Sequence, residues 1–231
     1  MSREKTVATF DQWAEAGRAD GMEKAHGDVV KQVIAAMELA PGEKVLDLGC
    51  GNGWATRQLA QTAAGVQAIG VDASPKMIAR ADELHSFTIR ARYDWCPFEA
   101  LDFKDEEFDR VFSMEALYYA EDLDKTLAEL LRVMKPGARA DIVMDFYKES
   151  PSTEGWSKQM DLGHMHWKSE AEWQSTFEGA GFASVTTQRV IDSRGPGDEA
   201  SFTPDECLPT WADKVAQHEA GSLWIRAQKP A

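Results

Sequence analysis

The sequence predicts an α/β fold built on a doubly wound, mostly parallel sheet, and three stretches carry that prediction. KVLDLGCGNGWATRQL at residues 44–59 reads as a short apolar strand, a glycine turn and the start of an amphipathic helix. VQAIGVDAS at 66–74 is a second apolar run that ends in an acid. FDRVFSMEALYYAEDLDKTLAELLRVMKPGARADIVMDF at 108–146 reads as strand, helix and strand again. Strands that alternate with helical patterns in this way call for parallel pairing with helical crossovers.

In the first stretch, Val45, Leu46 and Leu48 supply the buried run, and Gly49, Gly51 and Gly53 let the backbone take positive φ and pass close to a ligand. The helix that follows offers unpaired N–H groups at its start, so a nucleoside cofactor suits the turn. The spacing GxGxG is one residue short of the dinucleotide fingerprint. Asp47 stands at the strand end, where it would repel a pyrophosphate and favour an ammonium group. Asp72, about 20 residues further on, is placed to accept hydrogen bonds from both hydroxyls of a ribose.

Length and composition set the remaining bounds. A chain of 231 residues suits one α/β domain with additions. Its 39 acidic and 25 basic residues give a net charge of −14, which disfavours a nucleic-acid partner. The acids are spread along the chain, as solubility requires. Cys50, Cys96 and Cys207 form no CxxC pair and no disulfide framework, which fits a reducing cytoplasm. MSREKTVATFDQW has no apolar signal core and no run of 18 apolar residues follows, so neither export nor a membrane span is expected.

In chain order, residues 6–38 read as helix, with an apolar stripe of Val29, Val30, Val33, Ile34, Met37 and Leu39 broken up by Gly17, Gly21 and Gly27. Pro41 and Gly42 turn the chain into the first strand. The helix after the glycine turn is expected over 53–64, ended by Gly65, and a third strand over Phe87 to Tyr93. The fourth strand spans Arg110 to Met114. A helix with Leu123, Leu127, Leu130 and Leu131 on one face follows, and Lys135-Pro136-Gly137 leads into the fifth strand. Residues 146–170 turn polar and aromatic, as a substrate-side insertion does. A helix from Ser169 carries Trp173 and Phe177, strand six runs over 182–190, a short helix is expected near 205–219, and SLWIRAQK makes strand seven.

DLGCGNG at 47–53 resembles motif I of the class I S-adenosylmethionine-dependent methyltransferases, and DASPKM at 72–77, CPFEALDFKDEEFD at 96–109 and LLRVMKPGARADI at 130–142 resemble further family segments. The match covers about 40–190 and points to the small-molecule branch of type 11 and 25 enzymes. It implies a Rossmann-like doubly wound sheet of seven strands, mostly parallel with an antiparallel last strand. An N-terminal helical cap (1–40) would precede a cofactor-binding core (41–145) and substrate-side insertions with the last strands (146–231). The implied cofactor is S-adenosyl-L-methionine. Asp47, Gly49, Cys50 and Gly51 would wrap its amino acid part, Asp72 its ribose, and Ala73, Met77, Pro97 and Phe98 its adenine, with Met114 beside its methionine part. Many members carry an acid where Pro97 stands, which leaves Asp94 or Glu99 as substitutes. In such a cap Phe10, Trp13, Arg18, Met22 and His26 are candidates to line the pocket.

The expected activity is methyl transfer by in-line displacement to a small-molecule amine or hydroxyl. Trp13, Arg18, Glu115, Tyr118 and Tyr119 are candidates for the acceptor side. Candidate catalytic groups are Tyr118, which could orient an acceptor or simply pack, and His164 or His166, whose ring pKa suits a general base. The HxH pair lacks a third ligand at a diagnostic spacing, so no metal is expected. A binding or regulatory protein without turnover is one alternative. An NAD-dependent oxidoreductase is the other, disfavoured by Asp47 and the missing third glycine.

Overall fold

The computed structural model describes residues 2–160, 162–205 and 207–231; Met1, Asp161 and Glu206, which fall in the expected cap, insertion and late helix, lie outside them. Seven strands form one sheet: β1 (Lys44–Leu48), β2 (Gln67–Asp72), β3 (Ala91–Trp95), β4 (Phe108–Met114), β5 (Met134–Met144), β6 (Ala183–Val190) and β7 (Ser222–Gln228). Their order is β3-β2-β1-β4-β5-β7-β6. The pairs from β3 to β5 are parallel, while β7 runs antiparallel to both β5 and β6. The seven-stranded sheet with a reversed last strand is as expected.

The central strands are buried on both faces, which is why they read as continuous apolar runs. Val45, Leu46 and Leu48 are fully buried, as are Val111 and Phe112 beside them. Helices cover both faces: α1 (Ser2–Glu15), α2 (Met22–Met37), α3 (Trp54–Leu59), α4 (Pro75–Glu83), α5 (Leu123–Val133), the short α6 (Trp156–Gln159), α7 (Glu170–Ala180) and α8 (Trp211–Ala220). Their starts are chemically marked. Ser74 caps α4 by accepting the Met77 N–H, with Pro75 in its first turn; Asp122 caps α5 through the Lys125 N–H; Ser169 and Glu172 close a capping box on α7. In α5, Leu123, Leu127 and Leu130 face the sheet, whereas Leu131 is only partly buried at its margin.

Several boundaries differ from expectation. The third strand begins at Ala91, because residues 85–90 loop outward with Phe87 wholly exposed. The helix after the glycine turn stops at Leu59, and residues 60–65 form turns that close on the Pro41–Gly42 corner through the Gly42 N–H to Ala64 C=O bond. The late helix starts only at Trp211, where Thr210 and Asp213 make a capping box. Among the described residues no helix is long and apolar enough to cross a membrane.

The strand order reverses between β1 and β4, and the loops leaving their carboxyl ends diverge there, opening a crevice. α1, a 3₁₀ turn at Arg18–Gly21 and α2 lie over one side of it, and the β5 to β7 region closes the other. Phe177 is fully buried, with its ring 5.3 Å from that of Phe182, and holds α7 against the sheet. Phe177→Ala should cost about 3–5 kcal/mol in a urea denaturation series, and a loss under about 1 kcal/mol would show that α7 contributes little to the core.

Candidate active site

A cavity of about 460 Å³ occupies the crevice, within the range of small-molecule sites. Its floor comes from the chain leaving four parallel strands: Gly49 to Asn52 after β1, Asp72 to Ser74 at the end of β2, Met114 to Ala116 after β4, and Asp145 after β5. Phe10, Trp13, Arg18, Met22 and His26 line it from the cap, and Lys214 and Gln217 line it from α8.

The glycine turn is shaped by close approach. Gly49 has φ +77°, and a Cβ there would sit 2.1 Å from the Ala116 Cβ, so the loops after β1 and β4 touch only because this residue has no side chain. Gly51 has φ +53° and nothing within 4 Å of its would-be Cβ; its N–H donates to Asp72 Oδ2 at 2.9 Å. Asp72 Oδ1 accepts the Ser74 N–H at 2.8 Å. Burial pushes the Asp72 carboxyl up to about 6 against those two bonds, with nearby Asp11 adding to the shift. Ser74 Oγ donates to Asp11 Oδ1 at 2.5 Å, Lys76 pairs with Glu15, and Arg80 binds Asp20 at 2.8 Å. The cap is thus tied down beside the Asp72 end. Asn52, which the sequence reading passed over, adds a tie through its Nδ2 to Ala19 O at 3.2 Å and Asp20 Oδ1 at 3.1 Å.

The candidate residues divide between the cavity and its surroundings. Gly49, Cys50, Gly51, Asp72, Ala73, Met77, Phe98, Met114 and Glu115 line it, as do Tyr118, Tyr119, Trp13 and Arg18. Asp47 does not: it is 1% exposed, its Oδ2 accepts the Thr56 hydroxyl at 2.6 Å, and desolvation pushes it up to about 7. This acid faces α3 and joins the strand to the helix. Pro97 also stays outside the lining. Of its proposed substitutes, Glu99 lines the cavity but spends Oε1 on the N–H groups of Glu121 and Asp122, and Asp94 faces Arg92 elsewhere. Cys50 is buried with its thiol pushed well above the usual range.

His164 and His166, the candidate bases, do not line this cavity. The chain there runs along the outside of the Tyr118–Ala120 turn. The His166 N–H donates to Tyr118 O, its Nε2 lies 2.9 Å from Ala120 O, and His164 is exposed beside it with the rings 4.7 Å apart. Burial lowers the His166 pKa. Among the described residues no three His, Cys, Asp or Glu side chains gather to hold a metal ion.

The end of the cavity near β4 and β5 concentrates acids. Glu115 is a non-glycine residue at φ +53°, a conformation that costs of order 1–3 kcal/mol and persists where the surroundings enforce it. Its Oε2 accepts the Tyr118 hydroxyl at 2.8 Å and its Oε1 accepts the Asp145 N–H. Burial first, and Asp145 second, push Glu115 well above the carboxylate range. Asp145 Oδ1 accepts Ser222 Oγ at 2.5 Å and Oδ2 accepts Gln217 Nε2 at 2.9 Å. An aromatic wall stands opposite: Phe10 meets Trp13 and Tyr119 edge-on at 5.0 and 5.1 Å, and the Arg18 guanidinium lies 4.2 Å over Trp13. Asp145, Gln217, Lys214 and Ser222 carry no local motif, and only the packing of β5, α8 and β7 brings them together.

Asp47 gives this geometry a pH signature. A carboxyl raised from 3.8 to about 7 on folding holds its proton longer in the native state, so its contribution is unpenalised below pH 4 and grows unfavourable as pH rises to 7. Asp47→Asn should therefore be more stable than the parent by about 4 kcal/mol at pH 8, with the gap closing toward pH 4 in urea melts. A gap independent of pH would remove the buried ionised acid from the picture.

A family profile described as a methyltransferase domain matches residues 45–137. The methyltransferase GfsG of Streptomyces halstedii is 30% identical over 96% of this chain and 86% of its own length. The O-methyltransferase resE of Aspergillus sclerotiorum is 30% identical over 60% of this chain, which spans about half (54%) of that relative. Among solved structures, a methyltransferase in complex with the Haloferax volcanii Trm112 methyltransferase activator superposes with a TM-score of 0.87 at 31% identity, covering 96% of this chain and 98% of that one. With the seven-stranded sheet and the glycine turn between β1 and α3, these matches show that the chain belongs to the class I S-adenosylmethionine-dependent methyltransferases, with S-adenosylmethionine as its cofactor.

Proposed function

We propose that the cavity works from two ends, holding S-adenosylmethionine over the β1 and β2 termini and a small-molecule acceptor, reacting through a hydroxyl or amine, over β4, β5 and α8. The single observation that carries this reading is the split lining: a glycine-rich turn with a receptive carboxylate at one end, and acids and aromatics at the other. The first end fits the cofactor on its own chemistry. Gly51 leaves open space where a side chain would intrude, and Asp72 is held at the cavity by two N–H groups. In this reading Asp72 accepts the ribose hydroxyls, Met77, Ala73 and Phe98 flank the adenine, and Gly49, Cys50 and Met114 line the amino acid part. Asp47 acts from behind by fixing the turn to Thr56.

When bound, the cofactor supplies a methyl group already activated on a sulfonium, so the protein's task is alignment and exclusion of water. Tyr118 is fixed by Glu115, and Tyr119 by Phe10, which makes the aromatic wall a rigid platform for an acceptor. Arg18 and Lys214 bring positive charge to the acceptor side, which favours an acceptor carrying an anionic or strongly polar substituent. The resemblance to an O-methyltransferase supports a hydroxyl as the nucleophile.

The test joins binding to turnover. In calorimetry Asp72→Ala should weaken S-adenosylmethionine binding by about 1–3 kcal/mol, the worth of hydrogen bonds to a charged acceptor. Methyl-labelled cofactor offered with panels of phenols, alcohols and amines should yield a labelled small molecule and S-adenosylhomocysteine in equal amounts. Unchanged affinity would overturn the ribose assignment, and labelling of protein or nucleic acid alone would overturn the small-molecule reading.

A protein partner is a second reading, favoured by one surface. Of the exposed large hydrophobic residues, Leu84 (37%) and Phe87 (100%) lie in the chain leading into β3 and Trp95 (61%) ends β3, an edge strand with a neighbour on one side only. Such an edge invites strand addition by another chain. Since a solved methyltransferase similar to this chain is in complex with the Haloferax volcanii Trm112 activator, a Trm112-type protein is the natural candidate. Haloferax volcanii Trm112 should co-purify with the parent chain and be lost from a Phe87→Ser, Trp95→Ser double variant. Equal retention by both would exclude this edge as the docking surface.

A further inference from the structure

Among the described residues two histidines line the cavity, His26 from α2 and His218 from α8, and His26 is the one that faces Asp145. Its Nδ1 lies 3.8 Å from Asp145 Oδ2, an ion-pair separation just beyond a hydrogen bond. Asp145 is itself immobilised. Ser222 at the start of β7 donates to one carboxylate oxygen, Gln217 on α8 donates to the other, and the Asp145 N–H is taken by Glu115. A carboxylate bound at both oxygens, on a residue whose N–H is also held, cannot follow a ligand, but it can fix the orientation of an imidazole and stabilise its protonated form, as the aspartate of a catalytic triad does. With Nδ1 turned toward Asp145, Nε2 is the nitrogen left for an acceptor. Among the described residues no protein group hydrogen-bonds to it.

We propose that His26 is the general base of methyl transfer to a hydroxyl acceptor, and that Asp145 is the positioning residue that holds its ring. The inference rests on the acceptor reading given above and narrows it. A neutral amine attacks a sulfonium without help, whereas a hydroxyl gains from losing its proton as it attacks. In the step, the acceptor O–H bond breaks and its proton passes to Nε2. An oxygen lone pair forms the bond to the methyl carbon as the carbon–sulfur bond breaks, and that electron pair stays on sulfur. The products are a methyl ether, the neutral thioether S-adenosylhomocysteine and an imidazolium beside the Asp145 carboxylate, so positive charge moves from sulfur to the ring.

The groups around His26 suit a base. Burial is the largest influence and lowers its pKa below the ordinary imidazole value, leaving the ring neutral near pH 7. Asp145 opposes that shift; Lys214 from α8 and Arg194 from the loop after β6 reinforce it, and Asp192 of the same loop opposes it.

The test begins without the acceptor. Imidazole ¹⁵N signals of the five histidines are followed against pH in the cofactor-free protein, with His26→Asn assigning the His26 pair. His26 should titrate below the ordinary value, lower still in Asp145→Asn and higher in Lys214→Met, which needs only one of the two variants to fold. S-adenosylhomocysteine should shift the His26 signals while leaving those of His164 and His166 in place. With a hydroxyl acceptor from the panels, His26→Asn should lower kcat about 100-fold or more while cofactor affinity stays within two-fold. The acid limb of kcat/KM should follow the His26 titration and move down in pH in Asp145→Asn. A His26 titration indifferent to both charge changes, or a kcat within a few-fold of the parent in His26→Asn, overturns the base. Methylation of amines alone overturns the hydroxyl assignment, and a panel in which nothing is methylated while the His26 titration behaves as stated locates the failure in the small-molecule reading.

Discussion

The contact between Gly49 and Ala116 is the constraint on which the rest of the site depends. Two loops leave adjacent parallel strands at the point where strand order reverses, and they must diverge enough to form a cavity yet touch enough to exclude water behind it. With a Cβ 2.1 Å from Ala116 ruled out, only glycine permits that approach, and the positive φ at Gly49, Gly51 and Gly53 turns the chain back into α3. The same crossing sends Glu115 into a left-handed conformation on the opposite loop. Strain on one side and missing side chains on the other hold the floor of the cavity in a single shape.

Several acids are held out of water around the sheet: Asp47, Glu115 and Asp145 are buried at or next to strand ends, Asp72 is half-buried at the end of β2, and Asp141 is buried within β5. An unpaired carboxylate in such a place is costly, and the protein limits the cost with donors rather than with cations. Thr56 serves Asp47, backbone N–H groups serve Asp72, the Trp224 indole serves Asp141, and Ser222 with Gln217 serves Asp145. Asp47, Asp72, Glu115 and Asp141 nevertheless remain raised, because desolvation outweighs the bonds. Polar groups held at such cost at the mouth of a sheet are the mark of a binding site rather than of a core optimised for stability.

The cap converts this floor into an enclosed cavity by means of polar ties. Asp11 reaches Ser74, Asp20 reaches both Asn52 and Arg80, and Glu15 reaches Lys76, so α1 and the 3₁₀ turn are pinned to the elements that carry Asp72. These ties are partly exposed and individually weak. They register the cap laterally, while Phe10 and Trp13 pack with Tyr119 to form its apolar underside.

The strand-turn-helix periodicity, the glycine turn and the apolar runs were enough to predict a doubly wound, mostly parallel sheet, while its seven strands and reversed last strand were implied by the family resemblance. Local chemistry determines the turn, since a glycine is required wherever backbone must approach backbone, whereas the direction an acid takes is set by its neighbours, as Asp47 turning to Thr56 shows. The boundaries that shifted, at Phe87 to Ala91 and at 60–65, lie where propensity is weak and neighbouring loops decide. What only the tertiary structure decided is which groups meet at the far end of the cavity, where His26 and His218 line it and His26 faces Asp145. His164 and His166 share a motif-like spacing, yet their chain is drawn outside by bonds to Tyr118 O and Ala120 O, and His26, expected from the sequence only to line the pocket, meets Asp145 from 119 residues away along the chain. Such a meeting depends on how α2, β5, α8 and β7 pack around one point, and no spacing within any one segment encodes it.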